Sequence, residues 1–291
     1  MSTTVDGRER GHRRFEGSTA VVVGGADRGY GTASATRLAI EGAEVVLVDR
    51  EPGALEEVAA DLVARGARVH TLVADIGDEA ELRAAADACA ARGIERVAVL
   101  VDQHVATAWG TVETLDIDEL SRVVHDNVVG PIAATRAFLP LLKQAAPSAV
   151  VLVGSVDGLF GNPLVVGYSC SKASLAPMAR IMAREFAPYD VRVNAVASCV
   201  TNQQPEGEGE DASGTFARNS AKPGFPGPDY VAQLRAATPL KRTGPPEEWA
   251  GTVAYLASTE ASYVTGTVVV VDCGRTGLTP GTFPWLSPST T

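Results

Sequence analysis

Residues 20–49 decide the fold: Ala20-Val21-Val22-Val23, then Gly24-Gly25-Ala26-Asp27-Arg28-Gly29-Tyr30-Gly31, then a helix-compatible run from Thr32 to Glu41 closed by Gly42, then Val45-Val46-Leu47-Val48-Asp49. A short, continuous, β-branched run reads as a buried strand, and the run that ends in Gly42 reads as a helix with a glycine cap. Strand, glycine loop and helix together form a phosphate-binding unit. The glycines let the backbone approach a pyrophosphate, and amide groups at the helix N-terminus hold its charge. Asp49 follows about 20 residues after the loop, at the tip of the second strand, where an acidic residue meets ribose hydroxyls. Dinucleotide binding is the expected role of this segment.

The same alternation continues outward. Helix 55–65, strand 69–73 ending in Asp75-Ile76, helix 79–92, strand 97–101, a long helix with Asn127 in its middle, and the strand Ala149-Val-Val-Leu-Val153 follow in turn. A helix containing Tyr168, strand 191–197, helix 246–258 and strand 267–271 complete it. Strands alternating with helices predict an α/β fold, a doubly wound, seven-stranded parallel sheet in a single domain, with ligands at the carboxyl ends of the strands. The rhythm breaks at about residues 201–238, rich in Gly, Pro, Glu and Asp, which is read as a substrate lid. Residues 1–15 are polar and without periodicity and read as a mobile arm. The domain proper is expected over 16–275, with a tail at 276–291.

With 291 residues, 45% of them hydrophobic, the chain has ample material for one large core. A net charge of −10 argues against nucleic acid or an anionic membrane as partner and leaves small molecules as the expected ligands. Cys89, Cys170, Cys199 and Cys273 are scattered, with no paired spacing and no histidine at ligand distance, so neither a metal site nor a disulfide framework is expected. Reduced thiols fit a cytoplasmic protein. Arg13-Arg14-Phe15 has too short an apolar segment after it to act as an export signal.

Tyr168 and Lys172 lie four residues apart at the start of an apolar helical run, so their side chains leave the same face. A phenol titrates near pH ~10 and needs a neighbouring positive charge to work as an acid or base at neutrality. Lys172 is placed to supply it. Ser155, at the end of the fifth strand, can hold a hydroxyl over the same spot, and the three groups suit proton transfer at an alcohol oxygen. The chain uses arginine for most of its basic residues and keeps lysine only at 143, 172, 222 and 241, which makes Lys172 less of a chance neighbour.

With Gly25-x-x-x-Gly29-x-Gly31, Asn127, Ser155 and Tyr168-x-x-x-Lys172 in this order, the chain resembles the short-chain dehydrogenase/reductase family over about residues 16–275. Pro239-Leu-Lys-Arg-Thr-Gly244 and Tyr263-Val-Thr-Gly266 add to the likeness. The resemblance implies a Rossmann-like fold and an oxidoreductase, a dehydrogenase or ketoreductase acting on a secondary alcohol or ketone. It makes Tyr168 the general acid/base, Ser155 the group that orients the substrate oxygen, and Lys172 the residue that lowers the tyrosine pKa and holds the nicotinamide ribose. Asn127 would position a water in the proton relay. Gly25, Arg28, Gly29, Tyr30, Gly31, Asp49, Asp75 and Ile76 would join Tyr168 and Lys172 around the cofactor. Asp49 favours NAD, whereas Arg28 could grip the extra phosphate of NADP; NAD is the expectation. The family also implies a homotetramer or homodimer.

Four departures from the family pattern stand out: Gly24-Gly25 for Thr-Gly, Asp102-Gln103-His104-Val105 for Asn-Asn-Ala-Gly, Ser198-Cys199 for Pro-Gly, and Asp272-Cys273-Gly274 for Asp-Gly-Gly. They keep two other readings open: the same scaffold with a non-redox outcome (epimerase, dehydratase or cyclase), or a dinucleotide-binding protein without catalysis. His104 reads either as a space-filling side chain or as a second proton-transfer group at the mouth of the substrate pocket. Trp109, Leu159, Phe160, Val165 and Val166 suggest an apolar, cyclic substrate.

Overall fold

The computed structural model describes residues 13–26, 29–199, 236 and 238–277. Seven strands, β1 (Thr19–Val23), β2 (Glu44–Asp49), β3 (Val69–Val73), β4 (Val99–Asp102), β5 (Ser148–Ser155), β6 (Val191–Ser198) and β7 (Val268–Val271), form one sheet in the order β3-β2-β1-β4-β5-β6-β7. Every adjacent pair is parallel. The sequence order reverses between β1 and β4, which opens a crevice at their carboxyl ends.

The helices are α1 (Tyr30–Ile40), α2 (Pro52–Ala64), α3 (Glu79–Ala91), α4 (Ile117–Val124), α5 (Gly130–Ala145), α6 (Asp157–Phe160), α7 (Val166–Ala173), α8 (Leu175–Phe186) and α9 (Pro246–Ala257). Asp78 and Asp116 cap α3 and α4, each carboxylate accepting two main-chain N–H groups of the first turn. The long helix expected around Asn127 is two helices, α4 and α5, joined by a π-helical turn over His125–Val129.

The period-2 alternation of β1 sorts its side chains into two cores. Val21 and Val23 pack with Leu82 of α3, Phe138 of α5 and Met182 of α8. Ala20 and Val22 face the opposite side, with Leu38 of α1, Leu55 and Leu62 of α2, and Trp249 of α9. Full burial of one such aromatic or aliphatic side chain stabilises the fold by about 1.5–3 kcal/mol, so both faces hold the sheet rigid beneath its carboxyl edge.

The expected N-terminal boundary needs a correction. Phe15 is 3% exposed and belongs to the second core, its amide donates to the Glu41 carbonyl, and Arg14 pairs with Glu41 at 2.5 Å and Glu260 at 2.9 Å. Residues 13–15 are therefore part of the fold and not of an arm. Lone polar residues around a single phenylalanine carry no periodicity, which is why this anchor is hard to read from sequence. Residues 1–12, most of the proposed lid and the tail beyond Gly277 lie outside the described residues. Among the described residues no helix is long and apolar enough to cross a membrane.

Candidate active site

The glycine loop leaves the end of β1 and turns into the N-terminus of α1. A Cβ on Gly31 would run into the Gly24 carbonyl, and one on Gly25 would lie 2.9 Å from both the Val22 carbonyl and Leu47 Cδ2. Gly24 has φ +75°, and a Cβ there would lie 2.7 Å from the Gln103 carbonyl. The loop thus presents bare backbone beside the first turn of α1, the geometry a pyrophosphate needs. Asp27 and Arg28 lie outside the described residues, and with them the phosphate grip considered for Arg28.

Asp49, at the end of β2, accepts from the Ala26 amide at 3.1 Å and the Arg50 amide at 2.7 Å. Its carboxylate holds the glycine loop to the tip of β2. Asp75 accepts from the Gly77 amide at 2.9 Å and meets Arg50 at 3.5 Å, and Arg50 also approaches Asp126 at 4.0 Å. Arg50 was missed in the sequence; its position directly after Asp49 was the available signal. Tyr30 donates from its hydroxyl to the Cys199 carbonyl at 2.5 Å and meets Trp249 edge-on, with ring centroids 4.8 Å apart. This ties the glycine loop to the carboxyl end of β6 across the crevice.

Ser155, Tyr168 and Lys172 converge at the ends of β5 and α7. The Ser155 hydroxyl accepts from the Asp157 amide at 3.1 Å. Tyr168 is half-buried, and that burial pushes the phenol above its ordinary range, with Ser155 pulling the other way and the nearby Asp157 carboxylate adding to the rise. The Lys172 ammonium is buried, donates to the His104 carbonyl at 2.5 Å and the Val153 carbonyl at 2.9 Å, and is pushed down to about 8 by loss of water, with Asp102 opposing. Lys172 was expected to lower the phenol; in this geometry burial governs both groups.

Asn127 is fully buried in the π-helical turn. Its side chain accepts from the Ala106 amide at 2.8 Å and donates to the Ala106 carbonyl at 2.8 Å and Ser171 Oγ at 2.9 Å. Every polar atom of that side chain is used to lock the turn onto the loop after β4 and onto α7.

His104 is 1% exposed and points into the protein, with Nδ1 2.8 Å from Asp102 Oδ1 and Nε2 hydrogen-bonded to the Ile76 carbonyl. Of the two readings of His104, this burial agrees with a ring packed inside the loop and not with one open to a ligand. Asp157 and Arg275, not singled out in the sequence, approach to 3.9 Å; Arg275 also lies over the Phe160 ring at 4.9 Å and donates to Cys199 Sγ at 3.5 Å. Leu159 and Phe160 are 47% and 49% exposed beside this group, whereas Val165 belongs to the buried interior.

The residues present fit a dinucleotide. A Cβ on Gly24, Gly25 or Gly31 would collide with neighbouring protein atoms, so the loop stays bare backbone, and Gln103 beside it is 2% exposed with neither side-chain amide atom hydrogen-bonded within the described structure. A buried amide left without partners costs stability unless a ligand satisfies it. No cluster of metal-ligating side chains exists among the described residues.

Residues 24–276 match the family model described as enoyl-(acyl carrier protein) reductase. The chain is 32% identical over 240 residues, 81% of its length and 96% of the relative's, to the inactive 2-(S)-hydroxypropyl-CoM dehydrogenase 2 of Xanthobacter autotrophicus. It is 32% identical over 265 residues, 90% of its length and 95% of the relative's, to the (5R,7aS)-5-hydroxy-7a-methyl-1-oxo-2,3,5,6,7,7a-hexahydro-1H-indene-carboxyl-CoA reductase of Mycobacterium tuberculosis. Among solved structures, a double mutant of the Serratia marcescens short-chain dehydrogenase/reductase superposes with a TM-score of 0.77 at 27% identity, covering 90% of this chain and 99% of that one.

Proposed function

The chain belongs to the short-chain dehydrogenase/reductase family, and on that premise we propose that it is an NAD(H)-dependent dehydrogenase or ketoreductase acting on an apolar secondary alcohol or ketone. The observation that carries the reading is Ser155 at the end of β5 with Tyr168 and Lys172 four residues apart on α7, in a fold whose glycine loop takes no side chain.

When bound, the nicotinamide supplies or accepts the hydride at the substrate carbon. The protein's part is the proton at the substrate oxygen. Tyr168 donates it as a ketone is reduced and takes it as an alcohol is oxidised; burial raises the phenol, so the phenolate must be stabilised by the protein and the bound cofactor as the proton moves. Ser155 orients the substrate oxygen toward the phenol. Lys172 holds positive charge beneath the site and a hydrogen-bonding head for the nicotinamide ribose. Asp49, fixed at the β2 tip by two amides, accepts ribose hydroxyls and opposes a 2′-phosphate, which supports NAD over NADP. Asp75 and Ile76 line the adenine end. The half-exposed Leu159 and Phe160 support an apolar substrate, and the bicyclic hydroxylated compound named for the Mycobacterium tuberculosis relative supports a ring-bearing one.

Tyr168→Phe tests the reading. With a panel of cyclic secondary alcohols and NAD, the wild-type chain should raise absorbance at the reduced-nicotinamide band, and the variant should lose at least about a hundredfold in kcat with dinucleotide affinity within a few-fold. Turnover retained by the variant would overturn the role of Tyr168. Chemistry on these substrates without any change in that band would favour the non-redox outcome.

A further inference from the structure

We propose that His104 is a positioning residue, held as a buried imidazolium that pins the carboxyl end of β4 to the turn after β3 and, through its own carbonyl, sets the Lys172 ammonium. Its effect on turnover rests on the dehydrogenase reading above; its charge and its clamp do not.

Both ring nitrogens face groups that only accept. Nδ1 lies 2.8 Å from Asp102 Oδ1, and Nε2 meets the Ile76 carbonyl. A neutral imidazole has one N–H, so it would leave a lone pair against either a carboxylate or a carbonyl; the imidazolium satisfies both. Asp102 is itself 1% exposed, and its second oxygen has no hydrogen-bond partner within the described structure. A carboxylate so buried needs a countercharge, and His104 supplies it. The His104 amide donates to the same Asp102 oxygen at 3.2 Å, closing a tight loop at the strand end.

The pocket for this ring is built by glycine. A Cβ on Gly130, the first residue of α5, would lie 2.5 Å from His104 Cδ2 and 2.6 Å from Nε2. His104 then reaches the third element, because its own carbonyl accepts from Lys172 at 2.5 Å. One side chain and one carbonyl thus link Asp102 of β4, the Ile76 turn where the adenine end is placed, and Lys172 of α7.

The charges around His104 are Asp102 from β4, which favours the imidazolium, and Lys172 from α7, which opposes it. Beyond the Ile76 turn, Asp75 and Asp126 are both paired with Arg50. The net balance holds the His104 ring above its ordinary range despite burial, in agreement with the two-acceptor geometry. Two cations share one carboxylate, so removing the ring leaves Asp102 wholly to Lys172.

The chain has four histidines, which makes the ring spectrum of the 15N-histidine-labelled protein tractable. At about pH 7.5, well above the ~6.5 of a free ring, the His104 signal, identified by its absence in His104→Gln, should show both nitrogens protonated. A ring with one bare nitrogen would overturn the proposal, and this reading needs no active enzyme. Asp102→Asn keeps the shape and removes the countercharge, so the ring should lose one proton; a ring still doubly protonated would also overturn it. In turnover, His104→Ala should lower kcat about tenfold and move the Lys172-dependent limb of the pH profile up by about one unit. An equal loss at every pH with the limb unmoved would mean a space-filling ring and would overturn the positioning role. Tyr168→Phe bears on the dehydrogenase reading alone and should leave the ring spectrum unchanged, so the two readings fail separately.

Discussion

The Lys172 ammonium donates at 2.5 Å to the main-chain carbonyl of His104, 68 residues earlier in the chain. Its second contact is the Val153 carbonyl at 2.9 Å, so a buried cation is carried by two backbone dipoles with Asp102 as the favourable charge nearby. The arrangement keeps an ionisable lysine inside the protein at the cost of stability, which is the mark of a residue held for its chemistry.

Stability against pH should report this cost. The folded-state pKa of Lys172, about 8, lies below its ordinary 10.5, so between those values the unfolded chain binds more protons and folding stability rises with pH. Relative to Lys172→Met, the wild type should gain up to ~3 kcal/mol across that window. Urea unfolding of both proteins at a series of pH values gives the difference curve; a flat curve would show that Lys172 is not held down by burial.

His104 should contribute with the opposite sign. Its folded pKa is raised, so its contribution is complete below about pH 6.5 and is lost as pH rises through the folded value. Difference unfolding curves for wild type against His104→Gln should therefore converge toward alkaline pH, and curves that diverge there would contradict the imidazolium.

If Asp49 receives the ribose as proposed, Asp49→Ala should weaken NAD binding by about tenfold, because the carboxylate also holds the Ala26 amide of the glycine loop. NADP should weaken less, since the repulsion of its extra phosphate goes as well. Calorimetry on both nucleotides measures the narrowing, and a wild type that prefers NADP would put the selectivity outside Asp49.

Gly31→Ala places a methyl group on the Gly24 carbonyl, so the loop must open. Dinucleotide affinity should fall by more than about tenfold, with a stability loss of about 1–3 kcal/mol. Unchanged fluorescence titrations with NADH would show that the cradle is not the phosphate site.

Phe15→Ala should cost about 3 kcal/mol, because the ring is buried against the second core face at the entry to β1. Denaturant midpoints measure it. A cost near zero would restore the reading of residues 13–15 as an arm.

The sheet was legible in the sequence because its signals are local. Val21 and Val23 alternate with Ala20 and Val22 within one strand, glycines follow at fixed offsets, and strand-then-helix repetition leaves a parallel sheet as the outcome that buries both faces. Ser155, Tyr168 and Lys172 were legible for the same reason: a strand tip and a four-residue helical spacing fix where their side chains start. Where those side chains end was decided by contacts between distant segments. The spacing of Tyr168 and Lys172 suggested a lysine that lowers a phenol, whereas packing half-buried the phenol, buried the ammonium and aimed it at the His104 and Val153 carbonyls. Tyr30 meeting the Cys199 carbonyl, Arg50 meeting Asp75, and Arg275 meeting Asp157 each join segments whose separation carries no pattern. His104 shows the division most sharply. Sequence left it at a strand end as either a space-filling ring or a second proton-transfer group, and only the tertiary fold supplied the notch at Gly130, the Asp102 carboxylate and the Ile76 carbonyl that turn the ring inward, because desolvation and pairing of a charge depend on everything packed around it and not on its neighbours in the chain.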